Sequence, residues 1–302
     1  MEGLTLRNGR AGLNGGGMLI QGFDAITSLR DVRFLNNWAT TNGGGISSEL
    51  GGAPGRLVVN ECEFIGNRAN GPSGGDGSGG AIVMIFPSGL AATVTNSLFV
   101  NNTCRLRGGA LYLTGNSQVR MTNNTIVGHP LTDVGTDGLL VAEGAGSELA
   151  VRNCVFADND QSRIQTINGT TGSVGSCVLQ DYMTLDGAAD AGGNVSGTPV
   201  FEQAASGDYR LASDSIGIDA ANADDYIAVG GPQTDLRGVF RYADDPGTPN
   251  TGTGALKTLD IGAFEFQGVS TGTECEGDIN HDDMVNFDDL NVLLSNWGAT
   301  CN

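Results

Sequence analysis

The chain has 302 residues, 49 of them glycine and only 16% charged, yet no G-X-Y period runs through it, so a collagen-like helix is excluded. Asp and Glu number 34 against 15 Lys and Arg, and the resulting charge of −19 repels a polyphosphate backbone and excludes nucleic acid as a partner. No run approaches about 18 apolar residues, so no membrane span is predicted, while 39% hydrophobic residues with 11 Phe predict a folded core rather than disorder.

At the N-terminus, Met1-Glu2 leads straight into patterned sequence, with neither the basic start nor the apolar run of a signal peptide. The pattern opens in mid-repeat with no polar capping segment. The chain is therefore expected to be the C-terminal part of a longer secreted protein, its signal peptide lying upstream.

Self-similarity dominates the chain as far as about residue 160. An apolar anchor before a polar turn recurs at Leu6, Phe34, Phe64, Phe99, Ile126 and Phe156, at intervals of 27–35 residues. A second marker keeps step with it: GGGM from Gly15, GGGI from Gly43, GGAI from Gly79, GGAL from Gly108 and DGLL around Gly138. Five residues before the anchor stand Leu29, Val59, Val94, Met121 and Val151. Three before stand Asp31, Glu61, Asn96, Asn123 and Asn153, and three after stand Asn37, Asn67, Asn102, His129 and Asn159. Apolar and polar residues alternate at period 2 around these columns, which predicts short strands with one buried face. The repeat is too short for a four-stranded propeller blade and suits one coil of about three strands. Like residues then stack from coil to coil in a parallel β-helix. Asparagine suits turns that need left-handed backbone, and glycine pairs suit tight corners. The fold class is all-β, with coils over residues 1–198.

These repeats, N-x-GGG-[IAL] and FxxN, resemble the right-handed parallel β-helix proteins of the pectin-lyase-like class, bacterial surface proteins above all. The resemblance covers roughly residues 3–180 and implies a fold rather than an activity. Periodicity decays after about Val178. Residues 199–267 contain DYRLASDS with Asp219 just beyond it, TDLRG with Asp235 and Arg237, then Arg241, and LDIGAFE with Asp260 and Glu265. This stretch resembles the choice-of-anchor Q region that closes many such proteins. Its opposite charges at recurring places predict a buried or semi-buried ion network pinning the terminal coil.

Residues 268–277, GVSTGTECEG, read as a linker. From residue 268 onward there are seven acids and no Lys or Arg. With Asp278 as position 1, Asn280 falls at 3, Asp282 at 5, Met284 at 7, Asn286 at 9 and Asp289 at 12. Those positions present oxygens to calcium in an EF-hand-type loop, position 7 through its backbone carbonyl. Asp283 stands where the usual glycine would be, and Asp289 is shorter than the usual glutamate. A helix over roughly 287–296 offers Leu290, Val292, Leu293 and Leu294 to a core, with Trp297 just beyond. Residues 278–302 resemble one repeat of a dockerin, which implies calcium as cofactor and a cohesin-like or cell-surface partner. A bond between Cys275 and Cys301, which bracket the unit, would imply an oxidising compartment. Cys62 and Cys154 share the column two before the anchor and are expected to be small buried hydrophobes, three coils apart.

No catalytic constellation stands out. His129, Asp133 and Asp137 form the best local cluster, on an inter-coil loop that turn chemistry explains equally well. Arg105, Arg107 and Arg120 carry no lyase motif, and Walker, GxSxG and zinc-ligand patterns are missing. The chain is thus expected to be a non-catalytic extracellular or cell-surface β-helix protein. It would contact polysaccharide or another surface and be tethered by its calcium module. The alternative is a polysaccharide lyase or glycoside hydrolase delivered by the same module.

Overall fold

In the computed structural model of the chain, the described residues are 1–23, 26–51, 56–70, 77–130, 138–160 and 163–268, together with Leu290. The chain divides into two compact units, Met1–Phe266 and Gln267–Asn302. The first is built of stacked coils. Each coil contributes one strand to each of three faces, and every face pairs in parallel with its counterparts in the neighbouring coils.

One face runs through Met18–Phe23, Ile46–Gly51, Ile82 onward, Leu111 onward, Leu140–Glu143, Arg163–Ile167 and Thr184–Asp186. A second runs through residues 26–30, Arg56–Asn60, 90–95, 118–122, Glu148–Arg152, Thr171–Gly175 and Ala189–Gly192. The third carries the anchors, with Leu6 against Phe34, Phe34 against Phe64, Phe64 against Phe99, Phe99 against Ile126, and Ile126 against Phe156. In the early coils a fourth, two-residue ladder of Arg10–Ala11, Trp38–Ala39, Arg68–Ala69 and Thr103–Cys104 is added, beyond the three strands expected.

The columns read from the sequence become stacks inside the coils. Phe34, Phe64 and Phe99 lie face to face, with centroids 4.9 and 4.8 Å apart and planes within 9°. That spacing is the ~4.8 Å interval between hydrogen-bonded strands, so register alone imposes it. Leu29, Val59, Val94, Met121 and Val151 are all buried beside them. At the corner marker, Gly43 sits at φ +66°, and a Cβ on Gly44 would come within 2.4 Å of the backbone of Arg68 and Gly80. Only glycine lets the coils approach so closely there.

The two polar columns take different roles. The residues three before the anchor, Asp31, Glu61, Asn96, Asn123 and Asn153, adopt left-handed backbone with φ between 46° and 53°. Those three after it do not. Asn37, Asn67, Asn102 and Asn159 turn inward and are at most 1% exposed. Asn67 Nδ2 donates to Phe34 O at 2.8 Å and to Asn102 Oδ1 at 2.9 Å, while Oδ1 of Asn67 accepts from Asn37 N and Nδ2. Each amide therefore satisfies backbone and side-chain groups of its neighbours, which repays its burial.

The sequence predicts that residues 199–266 cap the end of the helix. They run back along its flank. Leu98–Val100, Thr125–Val127 and Val155–Ala157 are buried on both faces, because one side packs inward and the other beneath Ala221, Tyr226, Leu259, Ile261, Ala263 and Phe264. The left-handed asparagines hold this layer. Asn96 Nδ2 donates to Tyr226 Oη at 2.7 Å, Asn123 Nδ2 to Asp260 O at 2.9 Å, and Asn153 exchanges bonds with Asn222 N and O. Glu61 in the same column is also buried, its carboxylate accepting from Thr234 Oγ1 of the flank at 3.2 Å, whereas Asp31, one coil earlier, is exposed.

Candidate functional site

The expected calcium ligands Asp278, Asn280, Asp282, Met284, Asn286 and Asp289 lie outside the described residues, as do Cys275, Cys301, Asp133 and Asp137. Among the described residues, no group of three or more His, Cys, Asp or Glu could hold a metal ion. His129 is fully buried and continues the asparagine ladder. Asn102 Nδ2 lies 3.3 Å from its Nε2, and its Nδ1 lies 3.0 Å from Asn159 Oδ1. Because Asn102 can only donate there, Nε2 accepts and Nδ1 carries the proton. Burial holds this neutral imidazole's pKa down at about 4. His129 thus takes the place of an asparagine in the ladder. Cys62 and Cys154 are buried free thiols, and Cys177 joins their column, its Sγ accepting from Cys154 N. Burial pushes the Cys62 thiol up to about 12, where it is inert.

The carboxylates of the flank are equally occupied. Asp219, Asp235, Asp260 and Glu265 are buried with Arg241, which is fully enclosed and pairs with Glu265 at 3.2 Å. Asp260 accepts from Asp219 N and Phe266 N, Asp235 from Arg237 N, Val239 N and Glu265 N, and Glu265 from Tyr242 N and Ala243 N. Arg241 also donates to Asn96 Oδ1 at 2.7 Å and lies over the Tyr226 ring. Two guanidiniums, buried Arg241 and the partly exposed Arg237 that pairs with Asp235 at 3.3 Å, face four buried carboxylates, and desolvation dominates. It raises Asp219 to about 6, Glu265 to about 7 and Asp260 well above its ordinary value. The network joins the loops of the flank to the coils through Asn96.

The open feature is a groove on the second face. Its floor is the outward residues of adjacent coils, where Thr93, Arg120 and Ala150 stand in register, with Ala91 beside Arg56 and Gln118. Its wall is the end of a short helix of the flank, Ala223–Ala228, which Asn222 caps by accepting from Asp224 N at 3.0 Å. Two adjoining recesses of about 170 and 290 Å³ share Arg120, Ala228 and Val229. Arg152 is held by Ser173 O and Oγ and lies 3.6 Å from Asp225. Arg56 and Arg120 are exposed and make no ion pair among the described residues. The small floor residues leave room above the sheet, and two unpaired guanidiniums supply forked donors for oxygen-rich ligands. Glu148 and Asp225 also line the groove. Sequence reasoning noticed Arg120 and missed Arg56 and Arg152, which only coil register brings beside it.

Comparison with known proteins agrees with this architecture. Residues 78–198 match the family model of the right-handed beta helix region. The fold is a right-handed parallel β-helix. Residues 31–49 match the Chlamydia polymorphic membrane protein repeat, over the stretch that runs from Asp31 through Phe34 and Asn37 to the GGGI corner. No curated protein and no solved structure gives a significant match. No helix among the described residues is long and apolar enough to cross a membrane.

Proposed function

We propose that this chain is a secreted or surface-associated β-helix protein that contacts carbohydrate without cleaving it, through the Arg56–Arg120–Arg152 groove. The observation that carries this reading is the pair of unpaired guanidiniums on a floor of small side chains. The match to a polymorphic membrane protein repeat supports surface exposure. Residues 278–302 would bind calcium through Asp278, Asn280, Asp282, the Met284 carbonyl, Asn286 and Asp289, and present a helix to a cohesin-like or cell-surface partner. Arg56→Ala with Arg120→Ala is expected to abolish retention on immobilised polysaccharide with an unchanged melting temperature, and unaltered retention would refute the groove. Calcium titration by calorimetry is expected to show one site, lost in Asp278→Ala with Asp282→Ala; absence of heat in the parent chain would refute the module.

Glu148 and Asp225 in the same groove favour one second reading, a polysaccharide lyase or glycoside hydrolase, since paired carboxyls are what such hydrolysis requires. Product release from a polysaccharide panel, abolished by Glu148→Gln, would establish the enzyme and overturn the binding role.

A further inference from the structure

The two-residue ladder of the early coils carries a second recess, distinct from the groove. It encloses about 320 Å³ and is lined by Asn8, Arg10, Trp38, Asn36, Gly66 and Arg68, with Asn37 beneath. Arg10, Trp38 and Arg68 occupy the same register position in three successive coils. Adjacent strands are ~4.8 Å apart, so the two arginines are anchored roughly 10 Å apart on either side of the indole. Trp38 Nε1 donates to Asn70 O at 3.2 Å, which fixes the half-buried ring in place. Arg68 can reach the Asn70 amide oxygen at 2.7 Å, and neither Arg68 nor Arg10 makes an ion pair among the described residues. Among the described residues, no carboxylate lines the recess. Its surroundings differ from the rest of the chain: residues 1–70 hold six arginines against six acids, whereas residues 201–302 hold four cations against eighteen acids.

We propose that this recess binds an acidic glycan, with one sugar ring stacked on Trp38 and anionic groups of that sugar and its neighbour held by Arg10 and Arg68. The chemistry selects this class. A bare phosphate would leave the indole face unused, and an aliphatic peptide would leave both guanidiniums unpaired. A charged sugar chain offers a C–H face to the ring and carboxylate or sulfate groups to the forks. Asn8 and Asn36, exposed at left-handed turns, place free amides where sugar hydroxyls would lie. The strongly acidic remainder of the chain makes this neutral end the favoured landing site for an anion.

The test uses the full chain with three probes: alginate oligosaccharides, carrageenan oligosaccharides and neutral laminarin oligosaccharides. Affinity is followed by calorimetry and tryptophan emission, with Trp38→Phe assigning the signal between Trp38 and Trp297. Alginate or carrageenan is expected to bind, to change the emission of Trp38, and to weaken about tenfold or more in Arg10→Ala with Arg68→Ala. Binding by both acidic probes would assign recognition to charge, and binding by one to carboxylate or sulfate. Both arginines are exposed, so the double variant is expected to melt like the parent. Failure of both acidic probes to bind overturns the proposal. So does undiminished binding in the double variant and in Trp38→Phe. Loss of binding confined to Arg56→Ala with Arg120→Ala would also overturn the recess, while leaving the groove reading intact. Laminarin binding that survives every recess variant would support only the groove.

Discussion

Two of the molecule's buried polar systems are built by different means. Inside the coils, Asn37, Asn67, Asn102, His129 and Asn159 form a neutral ladder in which each rung satisfies the next, and coil register supplies every partner. On the flank, Asp219, Asp235, Arg241, Asp260 and Glu265 form a charged network assembled from separated loops. There Arg241 Nε and Asp219 Oδ1 find no partner among the described residues. Repetition makes the neutral solution easy, because one residue type at one position recreates its own partners in every coil. Irregular loops need charge to fix their geometry, at the cost of desolvating it.

The comparison can be broken most sharply at Arg241. Its replacement by alanine removes the ion pair to buried Glu265 and is expected to cost about 3–5 kcal/mol. Hydrogen exchange is expected to rise across residues 216–266 while the coils stay protected; uniform loss of protection would mean that flank and coils unfold as one unit. Asn67→Ala attacks the ladder at its centre and strands Phe34 O and Asn37 N, with an expected loss of about 3 kcal/mol in denaturant unfolding.

Acid and base should act on the two systems with opposite sign. His129 is neutral in the fold, with its pKa held at about 4 against an ordinary value of about 6.5. Its contribution is present above about pH 6.5 and is lost as pH falls toward 4, by about 3 kcal/mol. His129→Asn keeps the ladder's own chemistry and is expected to remove that acid sensitivity while changing stability little at pH 7. Glu265 and Asp219 have raised values of about 7 and 6, so their contribution is present below about pH 4 and is lost as pH rises through those values. Melting curves across pH 4–8 on the parent and His129→Asn would separate the two slopes. The smallest effect is expected from Cys62→Ala, about 1 kcal/mol by thermal melting, because the thiol fills space and makes only a weak bond to Asn60 O.

Much of this architecture was legible in the chain itself. The anchors from Leu6 to Phe156 and the GG corners carried the coil length, the parallel stacking and the buried column from Leu29 to Val151, because a solenoid writes each contact once per repeat. An ion network of Asp219, Asp235, Arg241, Asp260 and Glu265, buried or semi-buried, was legible too, from opposite charges at recurring places. Their position was not. Residues 199–266 lack periodicity, so nothing local states that they lie along the flank over Asn96, Asn123 and Asn153. His129 was legible as well, since the spacing already put it in the column of Asn102 and Asn159, where it forms a rung of the ladder. The same limit hid both proposed binding surfaces. Arg56, Arg120 and Arg152 are up to 96 residues apart, and Arg10, Trp38 and Arg68 span three coils. The sequence by itself determined the coil and its ladders, since those depend on spacing. Only the tertiary structure decided which outward side chains share a surface, since that depends on how each coil's loops change the register beneath them.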